Sequence, residues 1–286
     1  MKQTAWAPSN IALVKYWGKR DAELRLPLNA SLSMTTDEAF TITTVEFSPE
    51  YLRDTVEIDT CTSGVVPMEE TAAERVLEHV GRIRKRAGST LFARIRTKNS
   101  FPMGVGAASS ASGFAALTVA ACAALGLELS QKEMTILARL GSGSACRSIP
   151  DGFVLWEAGE HSEDSFAYSI YPHTYWSLCD VLVFVDERKK SVSTTDGMGK
   201  AMTSPFMDLR LKEIPRTIEC VRKALEIKDI VLLGECVERE MFSMHAVMMT
   251  QNPPVLYWSD ATLRVFRAIW EARSRGMKAY CPENPE

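Results

Sequence analysis

Residues Phe101 to Leu117 read FPMGVGAASSASGFAAL, a glycine-containing loop that runs into a helix of mostly small residues. Gly104 and Gly106 let a backbone turn tightly and bring its N–H groups close to a ligand. A helix from Ala107 onward would point its unsatisfied N–H groups back at the loop, where their partial positive charge favours a phosphate. Ser109 and Ser110 fall in the first turn, where a hydroxyl reaches a phosphate or its magnesium. The lysine that follows the last glycine of a P-loop is absent. On these residues alone, a phosphate cradle and a helix packed closely on a sheet through Gly and Ala stand side by side.

The rest of the composition narrows the class. With 286 residues and 46% hydrophobic content, the chain can bury one large core or two modest ones. Charged residues make up 24% and the net charge is −3, which gives no support for bulk nucleic-acid binding. Apolar runs such as Phe114 to Leu127 are too short to span a bilayer. The start, MKQTAWAPSN, has no apolar stretch of signal-peptide length, so a cytoplasmic protein is expected. Seven cysteines without a CxxC pair read as reduced thiols, and four scattered histidines offer no metal-ligand spacing.

Strand-forming residues crowd the first third, in SLSMTT (31–36), FTITTVEF (40–47) and LFARIRT (91–97). Residues 69–86 switch to helical spacing through Val76, Leu77, Val80 and Ile83. SQKEMTILARL reads as a helix with Ser130 as N-cap and Glu133 completing a capping box. GFVLWEAG (152–159) and DVLVFVDE (180–187) read as strands, the second as a central one. Beyond Pro205, long amphipathic patterns cover roughly 206–227, 228–249 and 259–275. The fold class is α+β, strands mostly early and helices mostly late, with a domain boundary near 185–200.

Two further segments suit anions. Asn10–Asp21, NIALVKYWGKRD, places Lys15, Lys19 and Arg20 around Tyr16 and Trp17. These cations form an anion site if they converge, and otherwise a solvated basic turn beside a core tryptophan. LGSGSACRSIPDG (140–152) sets Ser142, Ser144 and Arg147 around Gly141 and Gly143. Hydroxyls, N–H groups and a guanidinium are what a phosphate needs, and the competing reading is a flexible loop. With three such segments in one chain, one can hold ATP and two remain for a second phosphorylated molecule.

APSNIALVKYWGKRD, FPMGVGAASSASGFAAL, GSGSACRS and KSVSTTDGM (190–198) closely resemble mevalonate diphosphate decarboxylases. These belong to the superfamily that includes galactokinase, homoserine kinase, mevalonate kinase and phosphomevalonate kinase. The resemblance runs in order over most of the chain, and KYWGKRD and GSGSACRS separate the decarboxylases from the kinases. It implies a two-domain fold: an N-terminal domain like ribosomal protein S5 domain 2 (1–185) and a ferredoxin-like C-terminal domain (186–286), with the site in the cleft between. It also implies ATP as co-substrate, Mg2+, a homodimer, and conversion of mevalonate 5-diphosphate to isopentenyl diphosphate, a step of isoprenoid biosynthesis.

On the same basis, Pro102, Gly104, Gly106, Ala107, Ala108, Ser109, Ser110 and Ser112 would hold ATP, with Ser109 or Ser110 assisting magnesium. Tyr16, Lys19, Ser142, Ser144 and Arg147 would hold the substrate's diphosphate and carboxylate, joined by Ser193 and Thr194. Lys15 and Arg147 would be the catalytic residues, Lys15 near the reacting tertiary hydroxyl. Two departures stand out. Ala107 replaces a usual leucine, and AYCPENPE replaces a family segment carrying DAGPN, whose aspartate faces the hydroxyl. The resemblance therefore implies a second domain without its last strand and slow turnover. The alternatives are a phosphomevalonate decarboxylase and a silent ligand-binding relative.

Overall fold

The structure, a computed structural model, describes residues 1–60, 64–101, 109–183, 192 and 194–282. The chain opens with strand β1 (Lys2–Val14), a two-stranded ribbon of β2 (Lys19–Asp21) and β3 (Leu26–Pro27), and the long β4 (Ser31–Ser48). Strands β5 (Thr55–Thr60) and β6 (Gly64–Pro67), helix α1 (Glu70–Arg86) and strand β7 (Phe92–Asn99) follow. Helices α2 (Ser109–Ala124) and α3 (Gln131–Gly141) lead into a 3-10 turn at Gly143–Ser148, then β8 (Phe153–Trp156) and β9 (Ala167–Tyr171). The remainder holds α4 (Thr194–Gly199), a short 3-10 turn at Ala201–Thr203, α5 (Met207–Glu226), α6 (Ile230–Thr250) and α7 (Asp260–Ser274). Among the described residues beyond 192 there is no strand, and no helix of the described chain is long and apolar enough to cross a membrane.

Seven strands form one sheet in the order β6-β5-β7-β4-β8-β9, with β1 paired to β4. The two strand patterns expected at 31–36 and 40–47 are one strand, because β1 pairs with β4 on both sides of Asp37–Ala39. Along β4 the inward residues Thr41, Thr43, Val45 and Phe47 alternate with more exposed ones, the period of a half-buried strand. The β1–β4 register shifts between Pro8 and Asn10 and again between Ala12 and Val14.

Helix α2 lies on β1 and β4. Its alanines at 115, 116, 120, 121 and 124 are buried, as a helix without a polar face must be. The close-packed reading of the small-residue run is therefore correct for 109–124. On the opposite side, Ile214, Val221 and Leu225 of α5 and Leu233 and Val237 of α6 share an apolar cluster with Leu13, Val14, Leu32, Phe153 and Leu155. The C-terminal end of β1 is thus covered on both faces, which is why Ala7 to Val14 are all buried.

Two expectations need correction. Asp180–Val183 is not a central strand; it lies outside the sheet with Val181 and Val183 exposed, and residues 184–187 fall outside the described residues. A run of apolar residues does not by itself choose a partner. The seven cysteines are not all free thiols, since Cys220 and Cys236 are paired between α5 and α6.

The capping box at α3 is as expected. The Glu133 N–H donates to Ser130 Oγ at 3.3 Å, and the Ser130 N–H donates to Glu133 Oε2 at 3.0 Å. Ser130→Ala should lower unfolding stability by about 1 kcal/mol, the usual cost of removing an N-cap hydroxyl. Urea denaturation with an unchanged slope would show this as a lower midpoint; an unshifted midpoint would mean the cap contributes nothing.

Candidate active site

The segment 143–148 is a turn whose six residues are all buried, so the flexible-loop reading fails. Arg147 is the reason. At 4% exposure its guanidinium has to be hydrogen-bonded within the fold. Nε and one terminal nitrogen donate to Asn10 Oδ1 at 3.2 and 3.1 Å, and the other donates to Ser31 Oγ at 2.7 Å. The face of Trp156 lies 5.7 Å below it. Asn10 returns the contact: its amide donates to Ser148 Oγ at 2.8 Å and to the Ser144 carbonyl at 3.3 Å. Strands β1 and β4 thus hold this cation through an amide and a hydroxyl, with the Trp156 ring of β8 packed beside it.

Cys146, in the same turn, is no nucleophile. Burial pushes its thiol up to about 12.

The stretch after β1 is neither wholly solvated nor wholly core. Lys15 is 2% exposed, and its Nζ donates to the carbonyls of Ala12, at 2.7 Å, and Pro282. Tyr16 packs edge-on against Trp156, with ring centroids 4.8 Å apart. Its ring also occupies the space a side chain at 143 would need: a Cβ there would lie 2.7 Å from Tyr16 Cε1. Trp17 is fully buried beside Tyr257, so the core-tryptophan part of that reading holds. Arg20 is exposed and donates to the Gly159 carbonyl, apart from the other cations.

Lys19, half-buried on β2, has its pKa lowered chiefly by burial, then by the like charges of Arg25 and Arg75, with Asp196 opposing. Arg25 holds a left-handed backbone, φ 50°, and its Nε donates to the Leu140 carbonyl at 2.9 Å. Arg82 donates to the same carbonyl at 3.2 Å. Arg82 is also paired with Glu78, so the end of α3, two residues from Ser142, gathers charges of both signs. Burial raises the pKa of Asp180, against the opposing charge of Lys15.

Ser110 Oγ lies 3.3 Å from Ser142 Oγ, so the start of α2 meets the end of α3 through two hydroxyls. Ser109 is half-buried one residue earlier. Ser112 points elsewhere: it is fully buried and shares a 2.7 Å hydrogen bond with Thr41, which donates to Asn99. Thr194 opens α4 and is half-buried. Pro102, Gly104, Gly106, Ala107, Ala108 and Ser193 lie outside the described residues. Asn10, Arg25, Ser31 and Arg75 escaped sequence reasoning. Asn10 begins the NIALVKYWGKRD segment and could have been singled out as a polar residue in an apolar run; the other three carry no pattern that separates them from ordinary surface polar residues.

Residues 7–167 match the diphosphomevalonate decarboxylase-like N-terminal domain, and residues 181–280 match the mevalonate 5-diphosphate decarboxylase C-terminal domain. The chain belongs to the diphosphomevalonate decarboxylase family. It is 36% identical over 275 residues to the diphosphomevalonate decarboxylase of Saccharomyces cerevisiae, covering 91% of this chain and 69% of that protein. It is 35% identical over 301 residues to that of Aspergillus fumigatus, covering 98% and 74%.

Among solved structures, the complex of MDDEF with MVAPP, AMPPCP and magnesium superimposes with a TM-score of 0.89 at 37% identity, covering 98% of this chain and 85% of that one. The mevalonate diphosphate decarboxylase of Staphylococcus aureus does so with 0.88 at 33%, covering 98% and 84%. The two-domain α+β fold expected from the motifs is the fold these family members share.

Gly143→Ala should disturb this turn without touching a charge. The methyl would enter the space of the Tyr16 ring, an overpacking that costs about 1–3 kcal/mol. A lower denaturation midpoint together with weaker pyrophosphate binding is expected. A variant with wild-type midpoint and affinity would show that the Tyr16–Gly143 contact is not a constraint.

Proposed function

We propose that this protein catalyses the ATP-dependent decarboxylation of mevalonate 5-diphosphate to isopentenyl diphosphate, releasing ADP, phosphate and CO2, within the mevalonate route to isoprenoids. The observation that carries this is one buried turn that brings Ser142, Ser144 and Arg147 together against the Tyr16 ring, with Lys15 adjacent to it in sequence, in a chain of the decarboxylase family. A site of cations and hydroxyls suits a substrate bearing a diphosphate and a carboxylate.

The residue types match the chemistry. A tertiary hydroxyl leaves poorly until it is phosphorylated, and departure of that phosphate builds positive character at C3. The carboxylate then loses CO2, and its bonding electrons become the double bond. In our reading, Arg147, Lys19 and Tyr16, with Ser142 and Ser144, hold the substrate's anionic ends. Lys15 sits at the reacting hydroxyl and stabilises charge on the departing phosphate, an electrostatic role. The loop 102–108 with Ser109 and Ser110 takes the ATP phosphates, and Thr194 with Ser193 binds the substrate.

Magnesium would screen the phosphate charge, and the paired hydroxyls of Ser110 and Ser142 are hard oxygen donors of the kind it takes. The described residues hold no cluster of acidic or histidine ligands, so the phosphates themselves would supply most of its shell. We further assign the two domains to residues 1–185 and 186–286, and place the enzyme in the cytoplasm as a homodimer.

The test is CO2 release from carboxyl-labelled mevalonate 5-diphosphate and, separately, from the 5-monophosphate, each with Mg-ATP. Release from the diphosphate in preference to the monophosphate is expected. Preference for the monophosphate would make this a phosphomevalonate decarboxylase, and binding of both ligands without CO2 a silent relative.

Arg147→Lys should weaken diphosphate binding roughly ten- to hundredfold, because an ammonium cannot serve Asn10, Ser31 and a substrate oxygen together. An unchanged dissociation constant would remove Arg147 from the site. Gly106→Val should abolish the thermal protection given by Mg-ATP while the protein stays folded; undiminished protection would place the nucleotide elsewhere.

A further inference from the structure

Two charged side chains from the second half of the chain are buried against the end of β1. Arg210 of α5 and Glu240 of α6 are each 3% exposed and pair with one another. Both also turn to a single residue, Lys15. Glu240 Oε2 accepts the Lys15 backbone N–H at 3.1 Å. Arg210 donates to the Lys15 carbonyl at 3.0 Å, and Asn29 Nδ2 donates to the same oxygen at 2.9 Å. Arg210 also donates to Asn29 Oδ1 at 3.2 Å, closing the ring of contacts. Lys15 lies just past the last residue of β1, where the ladder to β4 has ended at the Val14–Leu32 pair. Its two backbone polar groups are buried and must be matched, and the ion pair matches them both.

Stability does not explain the choice of residues. A buried ion pair is often replaced by apolar side chains at no loss, because desolvation offsets the attraction. The helices already share a large apolar cluster with Leu13, Val14 and Leu32. Apolar contact is non-directional, however, and tolerates small displacements that hydrogen bonds to a particular N–H and C=O do not.

We propose that the buried Arg210–Glu240 pair is a positioning clamp: it fixes the backbone of Lys15, and so sets where Lys15 Nζ and the adjoining Tyr16 ring stand in the active site. The consequence is a coupling between the halves of the protein. The helical hairpin α5–α6 aligns a catalytic segment that belongs to the N-terminal strand, and neither Arg210 nor Glu240 needs to touch substrate. The catalytic consequence rests on the decarboxylase reading given above, whereas the clamp itself can be read without activity.

Two variants test it. Arg210→Met/Glu240→Leu removes the pair while keeping volume, and Glu240→Gln leaves one acceptor oxygen where two are used. For each, the melting midpoint, the affinities for mevalonate 5-diphosphate and Mg-ATP, kcat and KM, and amide hydrogen exchange over residues 13–19 are compared with wild type. The expected result is a folded protein with Mg-ATP affinity little changed, kcat lowered about ten- to hundredfold, a smaller loss of diphosphate affinity through Tyr16, and faster exchange at Lys15 and Tyr16. A folded variant with wild-type kcat and wild-type exchange overturns the clamp. So does weaker diphosphate binding with wild-type kcat and wild-type exchange, which would make the pair a substrate contact.

If the double variant does not fold, Glu240→Gln is judged by the same criteria. If wild-type protein releases no CO2, the decarboxylase reading has failed, and exchange at residues 13–19 decides the clamp by itself: faster in the variants supports it, unchanged refutes it.

Discussion

The ladder between β1 and β4 runs from Lys2 opposite Glu46 to Val14 opposite Leu32, and its two register shifts set the direction of every important side chain on β1. A regular strand would alternate faces without interruption. The shift after Pro8 re-aims the chain so that Asn10 meets Ser144, Arg147 and Ser148, and the shift after Ala12 brings Leu13 and Val14 onto the α5–α6 cluster. Lys15 and Tyr16 leave the end of that ladder already oriented. The 143–148 turn, the ribbon carrying Lys19 and the helical hairpin all dock onto a frame set by these few backbone hydrogen bonds.

Within that frame the chain buries cations and ties them to oxygens of its strands and loops. Arg147 is held by Asn10 and Ser31, and Lys15 Nζ by the carbonyls of Ala12 and Pro282. In a medium less polarisable than water, the charge of a buried cation reaches further. Lys19 shows the effect: burial and the nearby Arg25 and Arg75 lower its pKa, so an arriving anion relieves crowding already present in the protein. The Arg210–Glu240 pair differs because its charges cancel, as befits a group that aligns the backbone and leaves the ligand to others.

Much of the local structure was legible in the sequence. The α3 capping box follows from Ser130 and Glu133 standing three apart, a contact within one helical turn. The three late helices follow from their spacing of apolar residues, and their bounds, Met207–Glu226, Ile230–Thr250 and Asp260–Ser274, lie close to those expected. Motif residues such as Arg147 and Tyr16 could be picked out because KYWGKRD and GSGSACRS are long and specific. The run from Asp180 misled, since its apolar residues suit a strand but strand formation needs a free edge to pair with.

What the sequence determined by itself, then, was whatever depends on neighbours within a few residues: helix periods, caps, and the kinds of side chain available to bind phosphate. Only the tertiary structure decided which polar residues are buried together. Arg210 and Glu240 lie on amphipathic helices, where a charge reads as solvent-facing; packing against the end of β1 buries both. Asn10 and Ser31 are small polar residues on strands, unmarked until the fold brings them to Arg147 across more than a hundred residues of chain. Burial and long-range hydrogen bonding are properties of packed elements, and a one-dimensional pattern contains the elements but not their packing.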